Sequence, residues 1–150
     1  MANGVGMFLQ APDQYQLLCQ KPEYVESAVE EILRYESPLQ IGNRLTSVET
    51  EIGGKIIPSG TYIHTSIASA NRDSDVFTDP DKIDFTRQPN RHISFITGIH
   101  VCLGATLARY EGKIAFHKLI KKFPKMKAAG TAERMPLARF RGYSNLPVRF

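Results

Sequence analysis

The sequence lacks several features that mark specialised classes of protein. It has no tryptophan and only two cysteines, Cys19 and Cys102, whose separation fits neither a disulfide framework nor a zinc-ribbon spacing. No apolar run is long enough to cross a membrane, and no basic segment precedes an apolar stretch as in a secretory signal. These absences favour a reduced, cytoplasmic setting and a packed, reduced Cys19.

A large excess of charge is also missing. Nineteen basic and fifteen acidic residues leave a net charge of +4, a mild excess that alone argues neither for nor against nucleic acid. The 150 residues, 42% of them hydrophobic, are enough for one domain with a real core. We expect neither a nucleic acid nor a membrane among the partners.

The first third of the chain has the pattern of helices. Residues 2–20 predict a helix that is interrupted at Pro12, where a second short helix begins. A third helix follows Pro22 and ends near Tyr35, because Pro38 disfavours helix in the residue before it. The apolar residues of this third helix recur with helical period, and they are Val25, Ala28, Val29, Ile32 and Leu33.

The middle of the chain predicts short strands and an ordered loop. Gly53-Gly54 has the composition of a hairpin turn, and the β-branched residues of 61–67 predict a strand. Residues 71–90 are rich in Asp, Pro, Asn and Arg, but they contain apolar anchors, so we expect them to be ordered. These anchors are Val76, Phe77, Ile83 and Phe85.

Residues 103–123 predict the longest helix, which Pro124 ends. One apolar stripe contains Leu103, Leu107, Tyr110 and Ile114, and the apolar face continues through Phe116, Leu119, Ile120 and Phe123. Basic residues dominate its polar positions, where Arg109, Lys113, Lys118, Lys121 and Lys122 stand against Glu111 alone. This pattern is typical of a solvated face, and the alternative is a basic surface that steers an acidic partner. Residues 126–150 contain short apolar stretches broken by Gly and Pro, which predict small terminal strands.

Cys102 has the most informative position in the chain. It follows a glycine-bearing loop and immediately precedes the longest predicted helix. A thiol at a helix N-terminus is exposed to the positive end of the helix dipole and to free backbone N–H groups, and both favour the thiolate. A thiolate is a strong ligand for iron. The alternative interpretation is a buried structural cysteine.

The run from Phe95 to Gly104 resembles the haem-binding signature of the cytochrome P-450 family. The matching positions are Phe95, Gly98, His100, Cys102 and Gly104. The resemblance implies that Cys102 is the proximal thiolate ligand and the metal ligand of haem b. It also implies a mainly α fold with small β-sheets (α+β), namely the C-terminal portion of the P-450 fold of soluble bacterial members, with the N-terminal half missing.

Further segments match the family in chain order. Glu31-Ile32-Leu33-Arg34 resembles its E-x-x-R helix, whose pair would meet Arg87 of the meander in a buried structural network; the alternative is an exposed ion pair within the helix. Arg44 and His100 would bind the haem propionates, because a buried carboxylate needs a cationic or hydrogen-bonding partner. Alternatively, Arg44 is a strand-surface residue and His100 a loop residue.

The resemblance maps residues 1–150 as one truncated haem-thiolate domain. Its parts are the end of the distal helix, the E-x-x-R helix, small sheets, the meander, the haem loop and the proximal helix. The implied activity is that of a monooxygenase, an oxidoreductase that inserts one oxygen atom of O₂ into an apolar substrate with electrons from a ferredoxin-type donor. We expect little or no turnover from this chain alone. The alternative is a non-catalytic remnant that binds haem or a redox partner.

Ile96 departs from the family pattern, which has glycine or another small or polar residue after the phenylalanine. A β-branched side chain does not easily adopt the positive φ angles open to glycine, so we expect weakened haem loading. His92 belongs either to the polar edge of the haem site or to a surface turn. A small metal site formed by His92, His100 and Cys102 is another interpretation, although their spacing matches no closed zinc pattern.

Overall fold

The computed structural model describes all residues 1–150, and its first third is helical, as predicted. The elements are α1 (Ala2–Gln10), α2 (Pro12–Gln20), a 3₁₀ turn (Pro22–Tyr24) and α3 (Val25–Tyr35). Pro12 opens α2 and Pro22 opens the 3₁₀ turn, positions at which the missing proline N–H breaks no hydrogen bond. The interruption at Pro12 is therefore confirmed.

Four two-stranded antiparallel sheets follow, and none is large. The pairs are β1 (Ile41–Leu45) with β4 (Tyr62–Ser66), β2 (Thr50–Ile52) with β3 (Lys55–Ile57), β5 (Lys127–Ala128) with β8 (Val148–Arg149), and β6 (Glu133–Arg134) with β7 (Tyr143–Asn145). The predicted hairpin turn is confirmed, with φ angles of +58° and +76° at Gly53 and Gly54. Ile67 does not end a strand but opens a short helix, α4 (Ile67–Ala70).

The longest helix, α5, spans Ala105–Lys122 and packs against α2 and α3. A 3₁₀ turn at Gly98–His100 precedes it. The fold is thus helical with small sheets, which agrees with the predicted α+β class. No helix combines the length and the apolarity needed to cross a bilayer.

Phe8 lies at the centre of the core, where α1, α2 and α5 meet the long loop after α4. Its ring centroid lies 5.0 Å from that of Tyr15, 5.6 Å from that of Phe85 and 5.1 Å from that of Phe116. The contacts with Phe85 and Phe116 are edge-on, an arrangement that adds to the stabilisation from burial of apolar surface. Gly4 allows α1 to approach α5, since a Cβ there would come within 2.2 Å of Phe116 Cζ.

Three of the four apolar positions predicted as anchors in the 71–90 loop pack against the core, and one does not. Phe77 and Phe85 are buried, and Ile83 packs half-buried against the core. Val76 was predicted to be an anchor, but this is wrong because its side chain is 58% exposed. The neighbouring Phe77 occupies the inward position, and an irregular loop has no periodicity that would identify which of two adjacent residues faces inward.

The apolar residues of α5 divide into two faces with different surroundings. Phe116 and Ile120 are buried against the other helices. The predicted stripe at the start of the helix lies in solvent, with exposed fractions of 101% for Leu103, 63% for Leu107, 61% for Tyr110 and 54% for Ile114. The helix is covered on one side only, which leaves a continuous apolar surface beside Cys102.

Candidate functional site

Cys102 is an exposed free cysteine between the 3₁₀ turn and α5. Its N–H donates to the carbonyl oxygen of Phe95 at 2.9 Å, and its own carbonyl accepts from the N–H of Ala105 at 3.1 Å. The first bond closes the loop from residue 95 to residue 102, and the second joins the cysteine to the first residue of the helix. The backbone of Cys102 is therefore held on both sides while its thiol stays accessible.

Two glycines shape this loop in different ways. Gly98 has a φ of +73°, a conformation that favours glycine, and its carbonyl accepts from Val101 N–H at 3.1 Å. Gly104 is the N-cap of α5. A Cβ added there would lie 3.8 Å from the sulfur of Cys102, an ordinary contact distance. In this chain Gly98 is required by backbone conformation, whereas the thiol does not sterically require Gly104.

Ile96 adopts a φ of +60°, the conformation that its side chain disfavours. Its N–H donates to the carbonyl of Ile93 at 2.8 Å, which fixes the turn. A β-branched residue in the left-handed region is a genuine outlier, with a cost of about 1–3 kcal/mol. The loop therefore carries local strain six residues before the thiol.

Arg44 and His100, the predicted propionate partners, have no carboxylate partner. Arg44 lies half-buried on β1, and the only hydrogen bond of its side chain goes from Nη1 to the carbonyl of the adjacent Asn43 at 2.7 Å. His100 is exposed, and its ring makes no hydrogen bond. No hydrogen bond or ring contact joins these two residues to each other. Both side chains retain free donors for an acidic group.

The structure joins Glu31, Arg34 and Arg87 in one network. Arg34 contacts Glu31 through two hydrogen bonds of 2.7 and 2.8 Å, and Arg87 Nε lies 3.2 Å from Oε2 of the same carboxylate. The side chains of Glu31 and Arg34 are fully buried, so this is not an exposed ion pair. Arg34 also donates to the carbonyls of Asn71 and Pro80, which ties α3 to the long loop.

A second buried cluster was not predicted from the sequence. Asn71 donates from Nδ2 to the hydroxyls of Ser37 (2.7 Å) and Ser94 (2.8 Å) and accepts the N–H of Ile93 at its Oδ1 (2.8 Å). Asn71 is completely buried. This cluster fixes the segment of the chain that precedes Phe95. The only sequence signal was that Asn71 opens the segment 71–90, which was predicted to be ordered.

Glu30 was also missed, and it contacts two residues for which other roles were predicted. The side chain of His92 is only 2% exposed and hydrogen-bonds Glu30 at 3.0 Å, so it does not lie in a surface turn. Arg109 binds Glu30 through two hydrogen bonds of 2.7 and 2.9 Å. Burial alone would raise the pKa of Glu30, but the hydrogen bonds from His92 and Arg109 and the adjacent positive charge lower it to about 2.

The basic face predicted on α5 is partly neutralised by α3. Arg109 pairs with Glu30, and Lys113 pairs with Glu26. The hydrogen bond to Glu30 raises the pKa of Arg109. The side chains without an acidic partner are Lys118, Lys121 and Lys122. No three His, Cys, Asp or Glu side chains converge into a metal-binding group, and His92 contacts Glu30 rather than Cys102.

The sequence comparisons decide the family. The family model described as Cytochrome P450 matches residues 11–148. This chain belongs to the cytochrome P450 family. The biotin biosynthesis cytochrome P450 of Bacillus subtilis (strain 168) is 43% identical over 151 aligned positions. The alignment covers all of this chain and 38% of that relative. Cytochrome P450 CYP107DY1 of Priestia megaterium is 41% identical, with 37% of its length covered.

Solved P450 structures contain the same fold. P450BioI, crystallised in complex with an acyl carrier protein ligated to hexadec-9Z-enoic acid, is 43% identical with a TM-score of 0.96; the match covers 99% of this chain and 39% of that one. CYP109E1 from Bacillus megaterium, in complex with testosterone, is 32% identical with a TM-score of 0.96 and 42% of its chain covered. The chain thus matches the C-terminal part of the P450 fold and spans under half of these relatives.

Haem is the cofactor of intact P450 enzymes, and the residues present here fit it. Cys102 offers an exposed sulfur, the ligand atom that haem-thiolate proteins use. Ile99 and Leu103, on either side of it, are 96% and 101% exposed, which suits contact with an apolar macrocycle. Arg44 and His100 have free donors for carboxylates. Ile96 departs from the family pattern in this loop, and its positive φ strains the backbone there.

Proposed function

We propose that this chain is the haem-thiolate part of a bacterial cytochrome P450 monooxygenase, with Cys102 as the proximal ligand. The observation that carries the proposal is an accessible thiol at the start of α5, fixed through its backbone to Phe95. When bound, a haem with a thiolate ligand supplies the activation of O₂ by which one oxygen atom is inserted into an apolar substrate. The chain's own residues bind and orient that group.

Each site residue has a separate task in this proposal. Arg44 and His100 bind the two propionates, because their donors have no other acidic partner. The carbonyl of Phe95 accepts the N–H of Cys102 and so holds the backbone of the cysteine. Gly98 and Gly104 give the loop its turn and its passage into α5.

The electron donor is a ferredoxin-type acidic protein. The surface of this chain on which it docks is smaller than the whole basic face of α5. Arg109 and Lys113 are neutralised by Glu30 and Glu26, so they contribute little to long-range attraction. The lysines at the end of the helix have no acidic partner and provide the steering charge; they are Lys118, Lys121 and Lys122. Salt should weaken this association steeply, because the charges are exposed.

The absorption spectrum of the reduced, CO-bound protein tests the ligand. The 150-residue chain is expressed with a supply of haem, beside the variants Cys102→Ser and Cys19→Ser. We expect the thiolate signature in the wild type and in Cys19→Ser, whose half-buried thiol lies against the carbonyl of Ile120. We expect it to vanish in Cys102→Ser. A soluble wild-type chain without the thiolate signature would defeat the proposal.

A second candidate is a non-catalytic module that binds haem or a redox partner. The observation in its favour is the positive φ of Ile96, a conformation that costs the loop stability. We expect the 150 residues alone to give little or no turnover. A thiolate spectrum without substrate oxidation, in the presence of a reduced ferredoxin, is the result that this candidate requires, and substrate oxidation by the 150 residues would exclude it.

A further inference from the structure

One carboxylate on α3 holds residues from both sides of the loop that carries Cys102. Glu30 accepts from Arg109 at both oxygens, with distances of 2.7 and 2.9 Å, and from His92 Nε2 at Oε2, with a distance of 3.0 Å. His92 precedes the loop and Arg109 follows it on α5. The carboxylate therefore bridges three segments that are distant in sequence.

The orientation of His92 in this bridge is fixed by the backbone. The N–H of Ser94, which can only donate, points at Nδ1 of His92 at 3.2 Å. Nδ1 must therefore accept, and the ring proton lies on Nε2, where it faces Glu30. The side chain is 2% exposed, so water does not compete for either nitrogen. His92 therefore donates to Glu30 through Nε2.

Both partners of Glu30 contact the same aromatic ring. Arg109 Cζ lies 4.7 Å from the ring centroid of Phe95, within the range of a cation–π contact. The ring of His92 packs at an angle against Phe95, with a centroid distance of 6.3 Å. The carbonyl of Phe95 accepts the N–H of Cys102. A continuous set of contacts thus leads from Glu30 to the backbone of the cysteine.

We propose that Glu30, His92 and Arg109 are positioning residues for Cys102, which they hold by clamping Phe95. The inference deepens the proposed function and rests on it for the role of the thiol. It assigns Arg109 to contacts within this chain rather than to partner docking, because its two donors to Glu30 and the face over Phe95 are already in use. None of the three touches the haem in this role.

Amide hydrogen exchange in the 150-residue chain without haem tests the clamp directly. The probe is the N–H of Cys102, whose acceptor is the Phe95 carbonyl. In Glu30→Gln we expect its exchange to rise about tenfold or more, the effect of weakening hydrogen bonds to a charged group. The matched control is Glu26→Gln, which removes an exposed ion pair between the same two helices. That control should leave the Cys102 amide unchanged.

Two conservative variants keep the test independent of the folding of Glu30→Gln. Arg109→Lys keeps the charge but loses the paired hydrogen bonds and the stacked face, so it should also speed exchange at Cys102. His92→Gln retains a donor for Glu30 and should have a smaller effect. Unchanged exchange at Cys102 in Glu30→Gln and Arg109→Lys would overturn the proposal. An equal rise at all amides would do the same, because it indicates global destabilisation.

The haem spectrum separates this proposal from the one on which it rests. In the loaded chain, Glu30→Gln should lower the thiolate fraction of the reduced, CO-bound spectrum relative to wild type and to Glu26→Gln. If the wild-type chain never gives a thiolate signature, the proposed function fails while the exchange data still decide the clamp. If the wild type gives the signature and the exchange data are negative, only the clamp fails.

Discussion

Glu31 and Arg34 lie one turn apart on α3 with both side chains fully buried, and Arg34 contacts both oxygens of the carboxylate. Glu31 also accepts hydrogen bonds from the N–H of Asp84 and from the guanidinium of Arg87. A buried ion pair is weak evidence for net stability, but it is costly to break because the remaining charge stays in a medium of low polarity. The pair therefore makes α3 and the long loop dependent on each other.

Removal of the shared carboxylate should destabilise the fold strongly. Glu31→Gln leaves Arg34 and Arg87 without their anionic partner, and we expect a loss of about 3–5 kcal/mol in the free energy of unfolding. Urea denaturation measures it. The control Lys113→Gln breaks an exposed pair and should cost less than about 1 kcal/mol. Equal effects in the two variants would contradict a buried network.

Stability should fall in acid through Glu30. Its pKa is about 2 in the fold, compared with 4.5 ordinarily, so the folded chain binds fewer protons than the unfolded chain between these values. The contribution is fully present above pH 4.5 and is lost as the pH falls towards 2. Because the side chain is partly exposed, we expect on the order of 2 kcal/mol. Glu30→Gln should flatten this part of the pH profile, measured by thermal unfolding at several pH values.

Glycine should be tolerated at position 96 and not at a neighbouring apolar position. Ile96→Gly removes the strain of a φ of +60°, which offsets the lost side-chain contacts. Ile93→Gly, at a half-buried position without positive φ, loses contacts with nothing to offset them. We expect Ile93→Gly to be less stable than Ile96→Gly by about 2 kcal/mol. Haem retention should rise in Ile96→Gly, and identical losses of stability would argue against strain at this residue.

Arg44 should matter for haem and not for the stability of the haem-free chain. Its guanidinium has no carboxylate partner, so Arg44→Leu breaks no ion pair in the fold. Loss of a charge-assisted hydrogen bond to a propionate should speed haem dissociation about tenfold or more. Transfer of haem to an apoglobin acceptor measures the rate. Arg91→Leu, an exposed arginine without a side-chain hydrogen bond, is the control and should dissociate haem at the wild-type rate.

The local elements were predictable because their signals are local. Pro12 marks a helix start through its own missing N–H, and Gly53-Gly54 marks a turn through its own φ angles. The thiol loop was recognisable because its residues lie within ten positions of each other. These features depend on backbone conformation that a few adjacent residues impose.

The pairings across the fold were not predictable in the same way. Glu30 and His92 are 62 residues apart, and Glu30 and Arg109 are 79 apart, so no sequence period connects them. The basic face of α5 appeared unpartnered because its acids lie on α3 rather than three or four residues away on the same helix. Non-local charge pairs of this kind emerge only when the packing of the helices is known.

The two apolar faces of α5 are typical of a helix that packs between two layers of a fold. A helix at the surface of a fold has one apolar face, whereas a helix packed between two layers has two. Polar substitutions at Leu107 should therefore leave the free energy of unfolding of the 150-residue chain unchanged. They should lower it strongly wherever a further layer packs against that face. The effect of a polar substitution at Leu107 on stability therefore reports whether the end of α5 next to Cys102 is exposed to solvent or covered by another layer.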